Sequence, residues 1–538
     1  MRDLTNAGMT YFKRQLLYGI SHLRGCLSHQ RPGFVRKRST YLTSLDSPQA
    51  VDRTLSTDYD SAKPFSDIPG PTGLPFIGTL MQYTGPFRKY DIDNYQAVLE
   101  SRWKEFGPVL RETIGNRTAV RLFDPDHVQA VYQHEGVWPN IVPILESSRK
   151  YRESKDMSPG LGNINGQEWN TMRKAIQTVM MRPHNVAQFL PFVNEVADDV
   201  IDEICIRKDN EGNIAHFNYL AGRWNLETAG MICFEKRLGA LKEGFDSHSQ
   251  RMIQANLDIF EFSTKLMFVL PWDFITYRKL SKKHFAAEDY FYSDGRNLIN
   301  TTVSHIKNLV DNGELVEGKF VFLSYLLSSS NLNNKDLIIT ALTVFADGLN
   351  ATVPALLLAL HCLAKNPQAQ QKAFEEVHQH VPEDGYITQD VLNKMPYIKA
   401  CFKESFRLYP LNLDIKRIVD KNIAVGGFQI PAGTVIEICS FVHQMSPQYF
   451  DDPTEFRPER WLRGSSHFRN HHPFIVIPFS HGPRMCIGRR IAEQDMYVMM
   501  AKLLKRFKIT TPTDELGLKF QIIQTLDRPI TFTFEERT

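Results

Sequence analysis

Several things are scarce or missing in this sequence, and each shortage removes a class of protein. Net charge is nearly absent: 63 lysines and arginines stand against 60 acids in 538 residues, a formal +3. That is too little to argue for nucleic acid, and no zinc-finger or aromatic–basic spacing accompanies it. The seven cysteines, Cys26, Cys205, Cys233, Cys362, Cys401, Cys439 and Cys486, are scattered, odd in number and without paired spacing. They suit small buried hydrophobes in a reducing compartment, with one left over for chemistry. No Gly-x-Gly-x-x-Gly follows a strand-like run, so no flavin or nicotinamide fingerprint is present. The first 40 residues hold no apolar run long enough to span a bilayer, and Lys13 to Leu23 is broken by charge. This argues against a signal peptide and against an N-terminal membrane anchor.

What the N-terminus does contain is positive charge. Arg2, Lys13, Arg14, Arg24, Arg31, Arg36, Lys37 and Arg38 face the single acid Asp3. Arg-rich, acid-poor and weakly amphipathic is the composition of a mitochondrial transit peptide, expected over residues 1–40; the plainer alternative is a disordered basic tail. Residues 41–78 read as a linker, polar from Ser44 to Ala62 and then rich in proline and glycine through Ile68–Pro75. Prolines fix φ and stop helix, which predicts a stiff strap onto one folded body over 79–538. A composition of 42% hydrophobic and 23% charged residues gives that body ample core.

Helical patterns dominate the body to about Leu408. Strand-like pieces fall at Arg117–Leu122, Ala424–Ile430, Thr434–Ile438 and Ile530–Phe534, giving a mainly α fold with small β-sheets. Leu337 to Leu363 is almost wholly apolar, interrupted by Asp347 and Asn350. Gly348 and Pro354 within it favour a central buried helix over a membrane span. Pro354 removes a backbone bond and predicts a distortion near Asn350 and Ala351.

The most informative stretch is Phe479-Ser480-His481-Gly482-Pro483-Arg484-Met485-Cys486-Ile487-Gly488. Its glycines permit tight turns, and a helix follows, with Met496, Met499, Met500, Leu503, Leu504 and Phe507 as its buried stripe. A thiolate between such a loop and a helix N-terminus is stabilised by backbone N–H groups and the helix dipole, as a haem-iron ligand requires. This loop resembles the signature of the cytochrome P-450 family, Phe-x-x-Gly-x-Arg-x-Cys-x-Gly, at all five fixed positions.

That resemblance extends from about Pro64 to the C-terminus. It implies that haem b is bound with Cys486 as the iron ligand, and that Phe479 belongs to the cofactor loop. Trp169, Arg173, Arg417 and Arg484 take the places of the family's propionate contacts. Glu404, Arg407 and Arg460 take the places of its structural triad. Taken alone, Glu404 and Arg407 suggest only an intrahelical ion pair. Electrons must come from outside, and the run Gly488-Arg489-Arg490-Ile491-Ala492-Glu493 resembles the animal mitochondrial, ferredoxin-dependent branch. In that branch lysines at the positions of Lys399 and Lys403 dock an acidic ferredoxin of the adrenodoxin type, served by its reductase; the plain reading is two solvated lysines.

One motif departs from the family. Its central helix usually carries Ala/Gly-Gly-x-Asp/Glu-Thr-Thr/Ser, which aligns with Asp347-Gly348-Leu349-Asn350-Ala351-Thr352. The acid position holds Asn350 and the alcohol position Ala351. Asn350 and Thr352 are therefore the candidate proton relay, in competition with a water or a substrate hydroxyl. The expectation, by resemblance to that branch, is a mitochondrial monooxygenase acting on a lipophilic substrate such as a sterol, at the matrix face of the inner membrane. Alternatives are an isomerase or dehydratase of the same fold, and a non-catalytic haem sensor. Leu266–Trp272, apolar and followed by Arg278, Lys279, Lys282 and Lys283, suggests peripheral membrane contact and equally suits core packing.

Overall fold

The computed structural model describes residues 58–242, 247–329 and 332–537. The transit-like segment 1–40 and the linker up to residue 57 lie outside the described residues. The rest of the strap is bound to the body by its backbone. Lys63 N–H donates to the Gly427 carbonyl at 3.0 Å and Arg111 N–H to the Pro69 carbonyl at 2.8 Å.

The helices that frame the interior are, in chain order, α1 (Glu146–Ser154), α2 (Gly166–Met181), α3 (Phe217–Phe234), α4 (His248–Met267) and α5 (Phe274–Asp311). They continue with α6 (Asn334–Ala346), α7 (Gly348–Lys365), α8 (Pro396–Leu408) and α9 (Arg489–Arg506). Hydrophobic residues recur all round α3 and α7, so both are central rather than amphipathic. They pack against one another within the largest core cluster, which reaches from Tyr151 to Phe534. The methionine stripe of α9 is buried in the same cluster, as its spacing predicts.

The main sheet has four strands: β1 (Val109–Ile114), β2 (Arg117–Leu122), β3 (Ile415–Ile418) and β4 (Val435–Ile438). Their spatial order is β1-β2-β4-β3; β2 and β4 run parallel, and the outer pairs run antiparallel. Parallel pairing of β2 with β4, some three hundred residues apart, ties the N-terminal sheet to the segment before the cysteine loop. The expected Ala424–Ile430 strand is a tight hairpin, Ile423–Val425 with Phe428–Ile430, turning at Gly426 and Gly427 with φ of 59° and 81°. These are angles that glycine adopts readily. The last expected strand lies at Phe532–Glu536, two residues later than the pattern indicated.

The apolar segment is one long, mostly buried path from Asn334 to Lys365, with helical geometry interrupted at Asp347 between α6 and α7. The interruption therefore falls one turn earlier than the Asn350–Ala351 position expected from Pro354. Gly348 lies against α3, where a Cβ would stand 2.6 Å from Asn225 Oδ1, so close packing is concentrated at that point.

Candidate haem site

Cys486 sits where its loop ends and α9 begins. Its own N–H donates to the Phe479 carbonyl at 2.9 Å, closing the loop. Gly482 has φ of 76°, and a Cβ there would come within 2.8 Å of Glu135 Oε2, so this turn requires glycine. Phe479 packs edge-on to Phe406 of α8 at 5.8 Å. The Cys486 side chain is exposed, yet burial is the first cause that pushes its thiol up. Both hold together if the sulfur lines a cleft inside the protein. The N–H groups of Gly488 and Arg489 and the Arg173 guanidinium act the other way and favour the thiolate.

Three guanidiniums converge beside this sulfur. Arg484 lies 4.0 Å over the Trp169 ring and donates to the Pro139 carbonyl at 2.8 Å and to Asn165 Oδ1 at 2.7 Å. Arg417 pairs with Glu135 and donates to Ser480 Oγ at 3.0 Å. Arg173, on the same face of α2 as the buried Trp169, donates to Met181 Sδ at 3.2 Å, and its Nε lacks a partner. Burial first, then the charges of Arg417 and Arg173, lower Arg484 to about 9, with Glu135 opposing weakly. One carboxylate among three cations, Arg173 and Arg417 buried and Arg484 half-buried, leaves uncompensated positive charge, which an anionic group would neutralise. A haem fits: its carboxylates would meet Arg173, Arg417 and Arg484, and Cys486 would face its iron.

Beneath the cysteine loop the Glu404 carboxylate is wholly buried. It accepts from Arg407 at 2.7 and 3.0 Å, Arg460 at 2.8 Å, the Trp461 indole at 2.8 Å and the Arg457 N–H at 3.0 Å. Arg407 continues to the carbonyls of Gln444, Pro453 and Glu455. The chain between α8 and the cysteine loop is thereby pinned by charge-assisted bonds. On the outer surface of α8, Lys403 is exposed and stacks over Trp461 at 4.1 Å, while Lys399 is half-buried near Glu376 and Glu493. Arg489 lies near Lys403, and Arg490 is exposed.

The opposite wall is α7. Asn350 and Thr352 are buried, and the Asn350 amide donates to Asn256 Oδ1 of α4. The helix places Asp347 and Ala351, four residues apart on one face, as its exposed residues at this level. Sequence reasoning did not single out Asp347, Arg152 or Glu135 as site residues. Asp347 could have been found from its i, i+4 relation to Ala351; the other two carry no local signal.

Residues 68–532 match the cytochrome P-450 family. A probable cytochrome P-450 of Caenorhabditis elegans, CYP44, is 36% identical, over 88% of this chain and 94% of its own length. The mitochondrial 1,25-dihydroxyvitamin D(3) 24-hydroxylase of Rattus norvegicus is 28% identical, over 86% and 87%. A probable mitochondrial cytochrome P-450 of Drosophila melanogaster, 12a5, is 26% identical, over 88% and 91%. The match covers nearly the whole described body and includes the wall, loop and triad that suit a haem: this chain belongs to the cytochrome P-450 family, as a haem-thiolate monooxygenase.

Proposed function

We propose that this enzyme is a mitochondrial, ferredoxin-dependent monooxygenase of a lipophilic, sterol-like substrate. The observation that carries the reading is the basic surface on the Cys486 side of the protein, combined with mitochondrial relatives. Lys403, Arg489 and Arg490 bring positive charge from two helices to the side nearest the sulfur, with Lys399 half-buried behind them. An acidic one-electron donor docked there would stand close to the cofactor. Glu376, Glu459 and Glu493 share the surface and would confine the contact to a small patch. Such docking weakens steeply with salt.

Bound in the cleft, a haem supplies the iron chemistry that reduces dioxygen and oxidises a carbon–hydrogen bond. The protein's part is positional. Cys486 is held by its loop and by two N–H groups, Arg173, Arg417 and Arg484 hold the anionic edge, and the buried wall of α7 excludes bulk water. The relay proposed at Asn350 and Thr352 takes a narrower form here. Both are buried and Asn350 is engaged with Asn256, so their proposed part is to order the groups behind the open face.

The apolar segment Leu266–Trp272 divides in two, and the start of α5 continues its exposed half. Phe268 is core, whereas Trp272, Phe274, Ile275 and Tyr277 are exposed, Ile275 to 84%. With Lys279, Lys282 and Lys283 beside them, these residues support peripheral contact with the matrix face of the inner membrane.

The test is incubation of purified holoenzyme with a sterol-rich lipid extract under isotopically heavy dioxygen, with and without reduced ferredoxin, followed by mass spectrometry. The expected product carries heavy oxygen and forms only when ferredoxin is present. A product that forms without ferredoxin and takes up no heavy oxygen identifies an isomerase or dehydratase and overturns the reading.

A further inference from the structure

The cleft wall opposite Cys486 lacks the family's acid and alcohol at Asn350 and Ala351, yet it is not without an acid. Asp347 lies one turn before Ala351 on the same face and is exposed where the neighbouring Asn350 and Thr352 are buried. It occupies the junction of α6 and α7, the single interruption in that path. The carboxyl is near enough to Cys486 for its charge to raise the thiol. Among the described residues no hydrogen bond or close ion pair ties this carboxyl down.

We propose that Asp347 is the proton donor of this enzyme, a carboxyl oxygen displaced one turn from the usual position that protonates dioxygen as it is reduced in the cleft, with Arg152 as its charge partner. The proposal rests on the monooxygenase chemistry of the family and not on the identity of the electron donor.

The surroundings suit the role. Burial lifts the Asp347 carboxyl to about 6 and Arg152 of α1 opposes, so both protonation states are populated near neutrality, as a group that gives and regains protons requires. The groups that face it are Arg152, Tyr292 of α5 and Cys486. Behind Arg152 stand more exchangeable groups that the fold does not otherwise explain. Glu288 of α5 is fully buried and its carboxyl is raised by burial, with Arg152 as its opposing charge. His284, one turn away with Nε2 at 3.7 Å from Glu288, is lowered to about 4 by burial and is therefore neutral. His284 Nε2 lies 3.2 Å from Ser263 Oγ, which lies 2.7 Å from the half-buried Ser147 hydroxyl. These groups stand within electrostatic reach of Arg152, on the side of α5.

The balance is that of monooxygenation. One substrate C–H bond, dioxygen, two electrons from an external one-electron donor and two protons give an alcohol and water. Each proton leaves an Asp347 Oδ–H bond, and the exposed carboxylate regains one from water before the next transfer.

Carbon monoxide provides a probe that needs neither substrate nor ferredoxin. In the reduced, haem-loaded enzyme its infrared stretch should shift with pH around a midpoint near 6 and become pH-independent in Asp347→Asn, while Asp347→Glu restores a pH-dependent shift. Turnover of Asp347→Asn should fall about a hundredfold, with electrons diverted to hydrogen peroxide. Restoration by adding Ala351→Thr would show that the lost function is proton supply. An unchanged pH dependence in Asp347→Asn overturns the proposal. Should that variant fail to retain haem, the wild type decides: a stretch that does not move between about pH 5 and 8 overturns it equally. Because the spectroscopic arm involves no turnover, its failure is distinct from failure of the ferredoxin-dependent reading.

Discussion

On the Cys486 side of the cleft, Glu404 accepts from Arg407, Arg460, Trp461 and the Arg457 backbone, and the cysteine's own N–H closes its loop. On the α7 side, the carboxyl of Asp347 has only through-space neighbours, and the helix itself is interrupted beneath it. The first wall is over-determined, so its residues keep one geometry and their removal is a structural event. The second wall keeps groups unsatisfied, so its residues are free to change protonation state and their removal is a chemical event. The sharpest break of this contrast comes from the ligand itself. Cys486→Ala should abolish the thiolate signature, and the red-shifted Soret band of the reduced carbon-monoxide complex should disappear. Next in size is Glu404→Gln, which leaves two buried guanidiniums without their carboxylate. A loss of about 3–5 kcal/mol in urea unfolding is expected, together with poor haem retention.

The same division governs what could be read from the sequence. The cysteine loop, the Glu404–Arg407 spacing and the α9 methionine stripe are local patterns, and local patterns are visible in one dimension. The Glu404–Arg460 bond joins segments 56 residues apart and was accessible only through resemblance to a family. Strands β1 and β3 were missed because their partners, not their own alternation, make them strands. Asp347 was overlooked because the motif directs attention to the acid position, where Asn350 stands. In the fold the side chains of 347 and 351 are exposed and those of 350 and 352 are buried. Arg152 and Glu135 come from segments with no motif, and only tertiary packing brings them in.

A third measurement tests the looser wall through stability. In the unfolded chain Asp347 ionises near 3.8, whereas the folded protein holds its proton until about 6. The folded state therefore binds more protons in that window, and its stability should fall as pH rises from about 4 to 6 and then level off. The full shift would be worth about 3 kcal/mol, and exposure to the cleft should cut this to about half or less. Asp347→Asn lacks the loss, so its stability relative to the wild type should rise through the same window in urea titrations. A constant difference would mean that Asp347 is not held up.

On the outer surface, reversing charge at Lys399 and Lys403 together should weaken ferredoxin binding about tenfold, or about 1.4 kcal/mol, at low salt. The difference should shrink as salt is raised, and haem content should stay intact. Unchanged affinity in a binding titration would move the docking surface elsewhere. Lys403 is expected to carry most of the effect, since Lys399 is half-buried beside Glu376 and Glu493.

The substitution that best separates the two walls is Asn350→Ala, which should leave the chemistry least disturbed. Its amide donates to Asn256 inside the core, so truncation should cost about 1–2 kcal/mol by leaving a buried acceptor unpaired. In that respect Asn350 resembles Glu404 more than its neighbour Asp347, although it stands on the chemical wall and in the family's acid position. The carbon-monoxide stretch of Asn350→Ala should keep its midpoint near 6. A lost midpoint would place Asn350 in the proton path itself and make the boundary between the two walls run through α7 rather than between α7 and the cysteine loop.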